Sequence, residues 1–300
     1  MMNADSIKSR LKSLAIKENR PFDYLLMHYF IERLLYRVSI SQYSENFILK
    51  GGLLLYSILE EDARATKDID FLARQIENTP DRLIEVFREI CKIPTDDAVR
   101  YDADSILAER IKEGADYQGV RLKVSAYLDK SRHILQFDIG FGDIVVPYPT
   151  IMEYPSLLEM DRPKIKVYSL ESVIAEKFEA MVFLAEANSR MKDFYDIYKL
   201  CNSFDFNGVQ LHDAILATFN RRETPMSDTP TIFTEAYPLL KDKQTQWKAF
   251  LKRTGLDTQA TFPEILDVIR TFLFPIYESM RKQVEFSHSW NHSSGQWEYT

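Results

Sequence analysis

Apolar residues between Phe22 and Arg37 (FDYLLMHYFIERLLYR) recur at helical spacing, so this stretch predicts an amphipathic helix. Phe47–Lys50 (FILK) is a short apolar strand or helix lead-in ending in the glycine pair Gly51-Gly52, and a helical pattern resumes over 53–60. Asp68–Leu72 (DIDFL) alternates polar and apolar residues, as a half-buried strand does. Pro80–Lys92 predicts a helix that starts at Thr79 or Asp81. Val120–Leu128 and His133–Gly140 read as strands, and the polar turn Asp129–Arg132 between them suits a hairpin. From Ser169 the pattern is helical over 169–187, 189–203, 209–219, 230–253 and 262–285. The outline is α+β: a mixed-sheet domain with an N-terminal helical arm over 1–150, then a helical domain over 151–286. Residues 287–300, with His288, His292, several serines and two tryptophans, read as a flexible tail.

Composition adds little beyond class: 45% hydrophobic and 28% charged residues in 300 suit a soluble globular chain and exclude a disordered or collagenous one. A net charge of −7 argues against a protein that coats nucleic acid. The charge is uneven, however, at +3 over residues 1–50, −6 over 51–150 and −4 over 151–300. One local basic patch on the N-terminal arm therefore stays compatible with RNA. Cys91 and Cys201 lie far apart and outside any metal-binding spacing, which fits a reducing compartment. No run approaches the ~18 apolar residues of a membrane span. The start carries charges without an apolar signal core, so a cytoplasmic location with no membrane partner is expected.

The densest chemistry is Lys50-Gly51-Gly52 followed, a helix-length later, by Arg64–Asp70 (RATKDID). On a strand Asp68 and Asp70 project from one face, with Ile69 and Phe71 behind. Carboxylates that close repel unless a cation joins them. A hard divalent ion, Mg²⁺ or Mn²⁺, suits such oxygen donors, and Mg²⁺ commonly takes one or two carboxylates together with substrate phosphates. Asp138, flanked by apolar residues in LQFDIG, is either a satisfied core acid or a third carboxylate. Three carboxylates can hold two metals for phosphoryl transfer. Backbone amides at a glycine-led helix start can bind a phosphate. Arg64 and Lys67 are further phosphate contacts or else surface salt bridges. An isolated Asp-x-Asp is commonly a solvated strand face, but joined to the glycine pair and Asp138 it favours nucleotidyl transfer. A second cluster lies on helices: Lys177, then Lys192, Asp193 and Asp196, the two acids sharing a helix face. It reads either as a triphosphate contact or as solvated charges on amphipathic helices.

In this order, Phe47–Leu54 (FILKGGLL), Arg64–Asp70, Ala175-Glu176-Lys177 and Lys192–Asp196 (KDFYD) resemble the AbiEii/AbiGii toxin family of nucleotidyltransferases, as does the lead-in Glu32–Ser39. The similarity runs from about residue 10 to about residue 205. The resemblance implies a polymerase-β-like nucleotidyltransferase core with a helical C-terminal domain, and the role of toxin in a bacterial toxin–antitoxin or phage-abortive-infection pair. It implies NTP as substrate and tRNA acceptor ends as the RNA partner, with a cognate antitoxin. By position, Asp68 and Asp70 would be metal ligands, Asp138 the third carboxylate, and Gly51 and Gly52 the phosphate cradle. Lys177 would contact the triphosphate and Asp193 would be the helical-motif acid. Two departures stand out: Gly-Gly replaces the family's frequent Gly-Ser, and Lys192-Asp193 replaces Arg-Asp, which keeps the charge but loses a bidentate fork.

The expected reaction is attack of an RNA 3′ hydroxyl on the α-phosphate of an NTP, with pyrophosphate leaving and Asp138 assisting deprotonation. The alternatives are transfer to a protein or small molecule, and a catalytically silent nucleotide- or partner-binding module.

Overall fold

The computed structural model describes residues 3–60, 63–113, 117–256 and 258–299. These form two compact units. The first comprises the chain up to Gly142 together with Thr150–Val167, and the second comprises Asp143–Pro149 and the chain from Tyr168. The expected boundary at 150 thus falls among short segments that alternate between the units. No helix among the described residues is long and apolar enough to cross a membrane.

The first unit begins with α1 (Ala4–Lys17) and α2 (Phe22–Ile40), followed by β1 (Phe47–Lys50), α3 (Gly51–Leu59), β2 (Ile69–Ala73) and α4 (Pro80–Cys91). Then come β3 (Arg100–Glu113), β4 (Tyr117–Leu128), β5 (Ser131–Phe141), β6 (Thr150–Glu153) and β7 (Lys164–Val167). Among the described residues these strands make one seven-stranded mixed sheet, ordered β3-β4-β5-β2-β1-β7-β6. The pairs β2·β5 and β1·β7 are parallel and the others antiparallel. Central strand β1 is buried along its whole length, which explains its unbroken apolar run. In α4, Thr79 caps the start by accepting from the Arg82 amide, and Leu83, Val86, Phe87 and Ile90 turn inward at helical spacing. Phe87 lies 4.5 Å from the Phe137 ring and 5.2 Å from Phe47.

Helix α2 is buried almost all round, where its sequence predicted a one-sided amphipathic helix. Its charged residues Glu32, Arg33 and Arg37 are buried: Arg37 grips Asp97 with two bonds of 2.6 and 3.0 Å, and Arg33 donates to Glu32 at 2.7 Å. His28 on the same helix sits between the rings of Tyr24 and Tyr56, at 4.3 and 4.6 Å. Burial lowers its pKa from 6.5 to about 4; Arg20 and Lys67 push the same way, and a hydrogen bond with the Thr66 backbone opposes them. Unfolded chains therefore bind this proton below about pH 6.5, and the native state only near about pH 4. Stability contributed by neutral His28 is present above that window and is lost as pH falls through it, by roughly 3 kcal/mol in all. Urea midpoints measured between about pH 7 and 4 should fall steeply in the native sequence and less so in His28→Gln. Equal slopes would show that another group titrates.

The second unit contains α5 (Leu170–Leu184), α6 (Met191–Ser203), β8 (Phe206–Asn207), α7 (Gly208–Arg221), α8 (Lys241–Thr254) and α9 (Phe262–Lys282). It ends with β9 (His288–Asn291) and β10 (Gln296–Tyr299). Phe178 of α5 centres its aromatic core, with Phe219, Phe233 and Tyr277 rings 5.6 to 6.1 Å away. The single helix expected over 230–253 is instead two short 3₁₀ turns, Thr231–Phe233 and Tyr237–Leu239, followed by α8. Pro230 and Pro238 account for this, since neither can donate a helical amide bond.

The segment expected as a flexible tail is a docked hairpin, β9–β10, with β8 as third strand of its sheet; its last residue, Thr300, lies outside the described residues, as do Met1 and Met2 of the N-terminal arm. Ser293, Ser294 and Gly295, part of the composition that suggested disorder, lie in its turn. Trp290, 1% exposed, donates its indole N–H to the Cys201 carbonyl at 2.7 Å. Trp297 stacks on Phe272 with rings 5.6 Å apart and donates to that residue's carbonyl at 2.9 Å. Trp290→Ala should destabilise this unit by about 3–5 kcal/mol in urea unfolding. A loss below about 1 kcal/mol would show that the hairpin does not dock in solution.

Candidate active site

The site of the first unit is written in the sheet register. Lys50 on β1 lies opposite Asp70 on β2, Asp70 is level with Asp138 on β5, and Asp138 is opposite Arg121 on β4. Register partners project from the same face of neighbouring strands, which are about 4.8 Å apart. Lys50, Asp70, Asp138 and Arg121 therefore form one row across four strands, two acids between two cations. Asp68, exposed, immediately precedes β2, while Ile69 and Phe71 are buried on the opposite face. The expected closeness of Asp138 to Asp70 is seen in this register, while Asp68 lies one residue outside the strand.

Arg121 is the member that sequence reasoning missed. Its Nε donates to Asp138 Oδ1 at 2.8 Å and its Nη2 to Oδ2 at 2.7 Å, a bidentate pair. Hydrogen bonding to Asp138 raises the guanidinium well above its ordinary pKa, and the negative charge of Asp68 adds to this. A signal existed in the sequence: if the β4–β5 turn closes at Leu128 and Ser131, counting back places Arg121 opposite Asp138.

The glycine pair sits at the same place. Helix α3 begins at Gly51 itself, and its N-cap residue Lys50 makes no side-chain capping bond. Gly51 has φ +70°, and a Cβ there would run into the Asp70 carboxylate. Two independent constraints thus demand glycine. At Gly52 a Cβ would come within 2.9 Å of both Arg64 Nη2 and Thr66 Oγ1, so Arg64 and the buried Thr66 close over the helix start. Lys50, Gly51, Gly52, Arg64, Asp70 and Asp138 are brought together. Lys67 is exposed beside them in sequence, and its charge reaches His28.

Among the described residues no group of three or more His, Cys, Asp or Glu is arranged to hold a metal ion. Arg121 occupies both oxygens of Asp138, the would-be third ligand. The donor chemistry nevertheless suits Mg²⁺, which needs only one or two carboxylates when substrate phosphates complete its shell. Asp68 and Asp70 are such a pair.

In the second unit Lys177 on α5 donates to Asp193 Oδ1 at 2.7 Å and to Asp196 Oδ2 at 2.8 Å, both on α6. Arg190 Nε lies 2.8 Å from Asp193 Oδ2. The acid side chains are 1% and 2% exposed. Burial alone would raise the Asp193 carboxyl, but Lys177 and then Arg190 hold it below the ordinary aspartate value. Of the predicted residues here, Lys192 is the exposed cation. Lys243 was not anticipated: though buried, it donates to the carbonyls of Glu186 and Asn188 at 2.6 and 2.8 Å and fixes the turn leading into α6.

The fold is similar to those of solved nucleotidyltransferases. The chain is similar to JHP933 from Helicobacter pylori, at 14% identity and TM-score 0.50, over 87% of this chain and 94% of that one. It is equally similar to MenT4, a nucleotidyltransferase toxin from Mycobacterium tuberculosis H37Rv, at 14% identity and TM-score 0.50, over 93% and 99% of the two chains. Residues 33–268 match the profile of the nucleotidyl transferase AbiEii toxin family of type IV toxin–antitoxin systems, and the chain belongs to that family. It is a nucleotidyltransferase toxin. No curated protein matches its sequence at a significant level.

Proposed function

We propose that this toxin transfers a nucleoside monophosphate from an NTP to an RNA 3′ end, a tRNA acceptor end, in a reaction that depends on Mg²⁺ or Mn²⁺ and is countered by a cognate antitoxin. The observation that carries the reading is the row Lys50–Asp70–Asp138–Arg121 set against the glycine-led start of α3. Amides of Gly51 and Gly52, with Lys50 and Arg64, hold triphosphate oxygens. Asp68 and Asp70 would hold the metal ion, which when bound would neutralise phosphate charge as a Lewis acid. The acceptor hydroxyl attacks the α-phosphorus, its O–P bond forms as the bond to the β-phosphate oxygen breaks, and pyrophosphate leaves. Asp138 takes the hydroxyl proton. A carboxylate has about four lone-pair sites, so the two bonds from Arg121 leave room for the hydroxyl and fix the oxygen that receives it.

In the second unit, Lys177, Asp193 and Asp196 serve by locking α5 to α6 and so placing Lys192 and Arg190, the cations for phosphate or RNA backbone. The basic N-terminal arm is a second place for RNA. The test is incubation of the purified chain with total RNA, Mg²⁺ or Mn²⁺, and each α-labelled NTP in turn. A labelled tRNA band that disappears with EDTA is expected. Label on protein alone would move the acceptor to another class, and no label with any NTP would overturn the enzymatic reading.

A further inference from the structure

The β4–β5 part of the sheet is buried on one face and accessible on the other. Leu122, Val124 and Ala126 of β4 and Leu135 and Phe137 of β5 are buried, on the face where Phe87 of α4 meets Phe137. The alternate positions project the other way, and from Arg121 to Tyr127 and from Arg132 to Asp138 they are exposed or half-buried, Ser125 excepted. Asp138 and Arg121 of the acidic row belong to this second face. Arg132 lies six positions before Asp138, about 20 Å away along the strand.

Charge changes along that distance. Beside the row the cations are paired: Arg121 holds Asp138, and Lys123 lies 3.5 Å from Glu109. At the far end Tyr127 is opposite Arg100 on β3 and Arg132 on β5. Both arginines are exposed residues, with guanidiniums 4.2 and 5.8 Å from the Tyr127 ring centroid, and Arg132 also donates to Ser125 Oγ at 3.0 Å. Neither has a carboxylate partner among the described residues, so two positive charges are uncompensated there. Asp102, opposite Ser125, accepts from the Asp104 amide instead. Between the two ends lie apolar side chains, Ile134 at 60% and Leu107 at 69% exposure. Lys8 of α1 bonds Asp129 in the β4–β5 turn at 2.9 Å, which sets the basic N-terminal arm beside the far end.

A partner for this face needs negative charge at the far end, flat or apolar groups in the middle and a terminus that reaches Asp138. Unpaired RNA supplies all three, because its phosphates are anionic, its bases stack on guanidinium planes and its strand ends in a hydroxyl. Duplex RNA keeps its bases stacked inside and offers only its backbone and grooves. An acidic protein segment would satisfy the two arginines but has no reason to end at the acidic row. We propose that the accessible face of β4 and β5 binds the unpaired strand upstream of the acceptor end, with Arg100 and Arg132 on its phosphates and bases and with Ile134 and Leu107 under the nucleotides between. The inference deepens the nucleotidyl-transfer reading and takes from it the direction of the strand, whose 3′ hydroxyl lies at Asp138.

Fluorescence anisotropy of the full chain with a short labelled single-stranded RNA tests it. Binding is expected, tighter than that of a blunt duplex of the same length. The double variant Arg100→Gln, Arg132→Gln should weaken it about tenfold. The slope of log affinity against log salt should flatten by about 1.4, the share of two phosphate contacts on a single strand. In transfer assays the same variant should raise KM for RNA and leave KM for NTP as it was. Arg100→Lys, Arg132→Lys should keep the salt slope but recover only part of the affinity, since an ammonium does not stack. Ultraviolet crosslinking of the unmodified chain to RNA carrying a photoreactive uridine should mark β4 or β5, and it decides alone if circular dichroism shows a variant unfolded. Asp70→Asn should not weaken RNA binding even where it abolishes transfer, so a failure of the chemistry and a failure of this surface are told apart. Native affinity in the glutamine variant, or crosslinks confined to other elements, would overturn the proposal. Absence of RNA binding would also overturn it and leave the face to a protein partner.

Discussion

Asp70→Asn is expected to lower nucleotide transfer by roughly three orders of magnitude while leaving the chain folded. Asparagine matches the volume of aspartate and keeps one carbonyl oxygen, but it removes the charge from the centre of the row. Its neighbours show why the loss falls on chemistry. Asp70 is level with Asp138 and opposite Lys50, and its carboxylate fills the space that a Gly51 side chain would need. A half-buried acid beside another acid contributes little to stability, so urea unfolding should change by no more than about 1 kcal/mol. Gly51→Ala makes the contrast. It forces a Cβ onto a residue with φ +70° and against the Asp70 carboxylate, so both stability and transfer should drop together. Initial rates with α-labelled NTP, read beside melts of both variants, check the pair. Asp70→Asn keeping more than about a tenth of the native rate would remove Asp70 from the chemistry.

Much of this site was legible because its chemistry lies in short-range pattern. The alternation over 68–72 marks a strand that carries Asp70, and the glycine pair marks a start where no side chain fits. Arg121 was harder: its meaning comes from a cross-strand partner seventeen positions away, visible only once the turn between β4 and β5 fixes the register. Strand β3 was not legible, since it is a sheet edge with a register shift between Asp102 and Leu107 that breaks its alternation. Strands β6 and β7 span four residues each, too few for a period to show. At the C-terminus, Ser and Gly suggested disorder because local composition does not reveal that Trp290 and Trp297 reach carbonyls in α6 and α9. The roles of Lys177, Asp193 and Asp196 were visible as types but not as partners. Periodicity placed the two acids on one face without saying that the lysine of another helix would lie between them.

That lysine supports the second large effect: Lys177→Met should destabilise the protein by about 3–5 kcal/mol, the usual result of removing one partner from a buried ion pair. Methionine keeps most of the volume, so the loss is electrostatic. It leaves Asp193 and Asp196 buried on one helix face, with Arg190 and Lys192 still acting on Asp193. The pH response gives the mechanism a distinct signature. In the native chain Asp193 is held below its ordinary value, so its contribution is present above about pH 4 and is lost only in stronger acid. Without Lys177 the largest opposing influence on burial is gone, and the Asp193 carboxyl moves up. An acid with a raised folded pKa is destabilising above that pKa, and the penalty is relieved as protonation sets in. Lowering the pH from about 7 to about 5.5 should therefore narrow the stability gap between Lys177→Met and the native chain, since His28 titrates alike in both. A melting temperature lowered by roughly 6–20 °C at neutral pH is the corresponding thermal readout. Adding Asp193→Asn and Asp196→Asn to the variant should restore much of it, since neutral amides no longer need the cation. A variant that melts within about 2 °C of the native chain, at either pH, would show that Lys177 does not lock α5 to α6 and would return it to direct contact with phosphate.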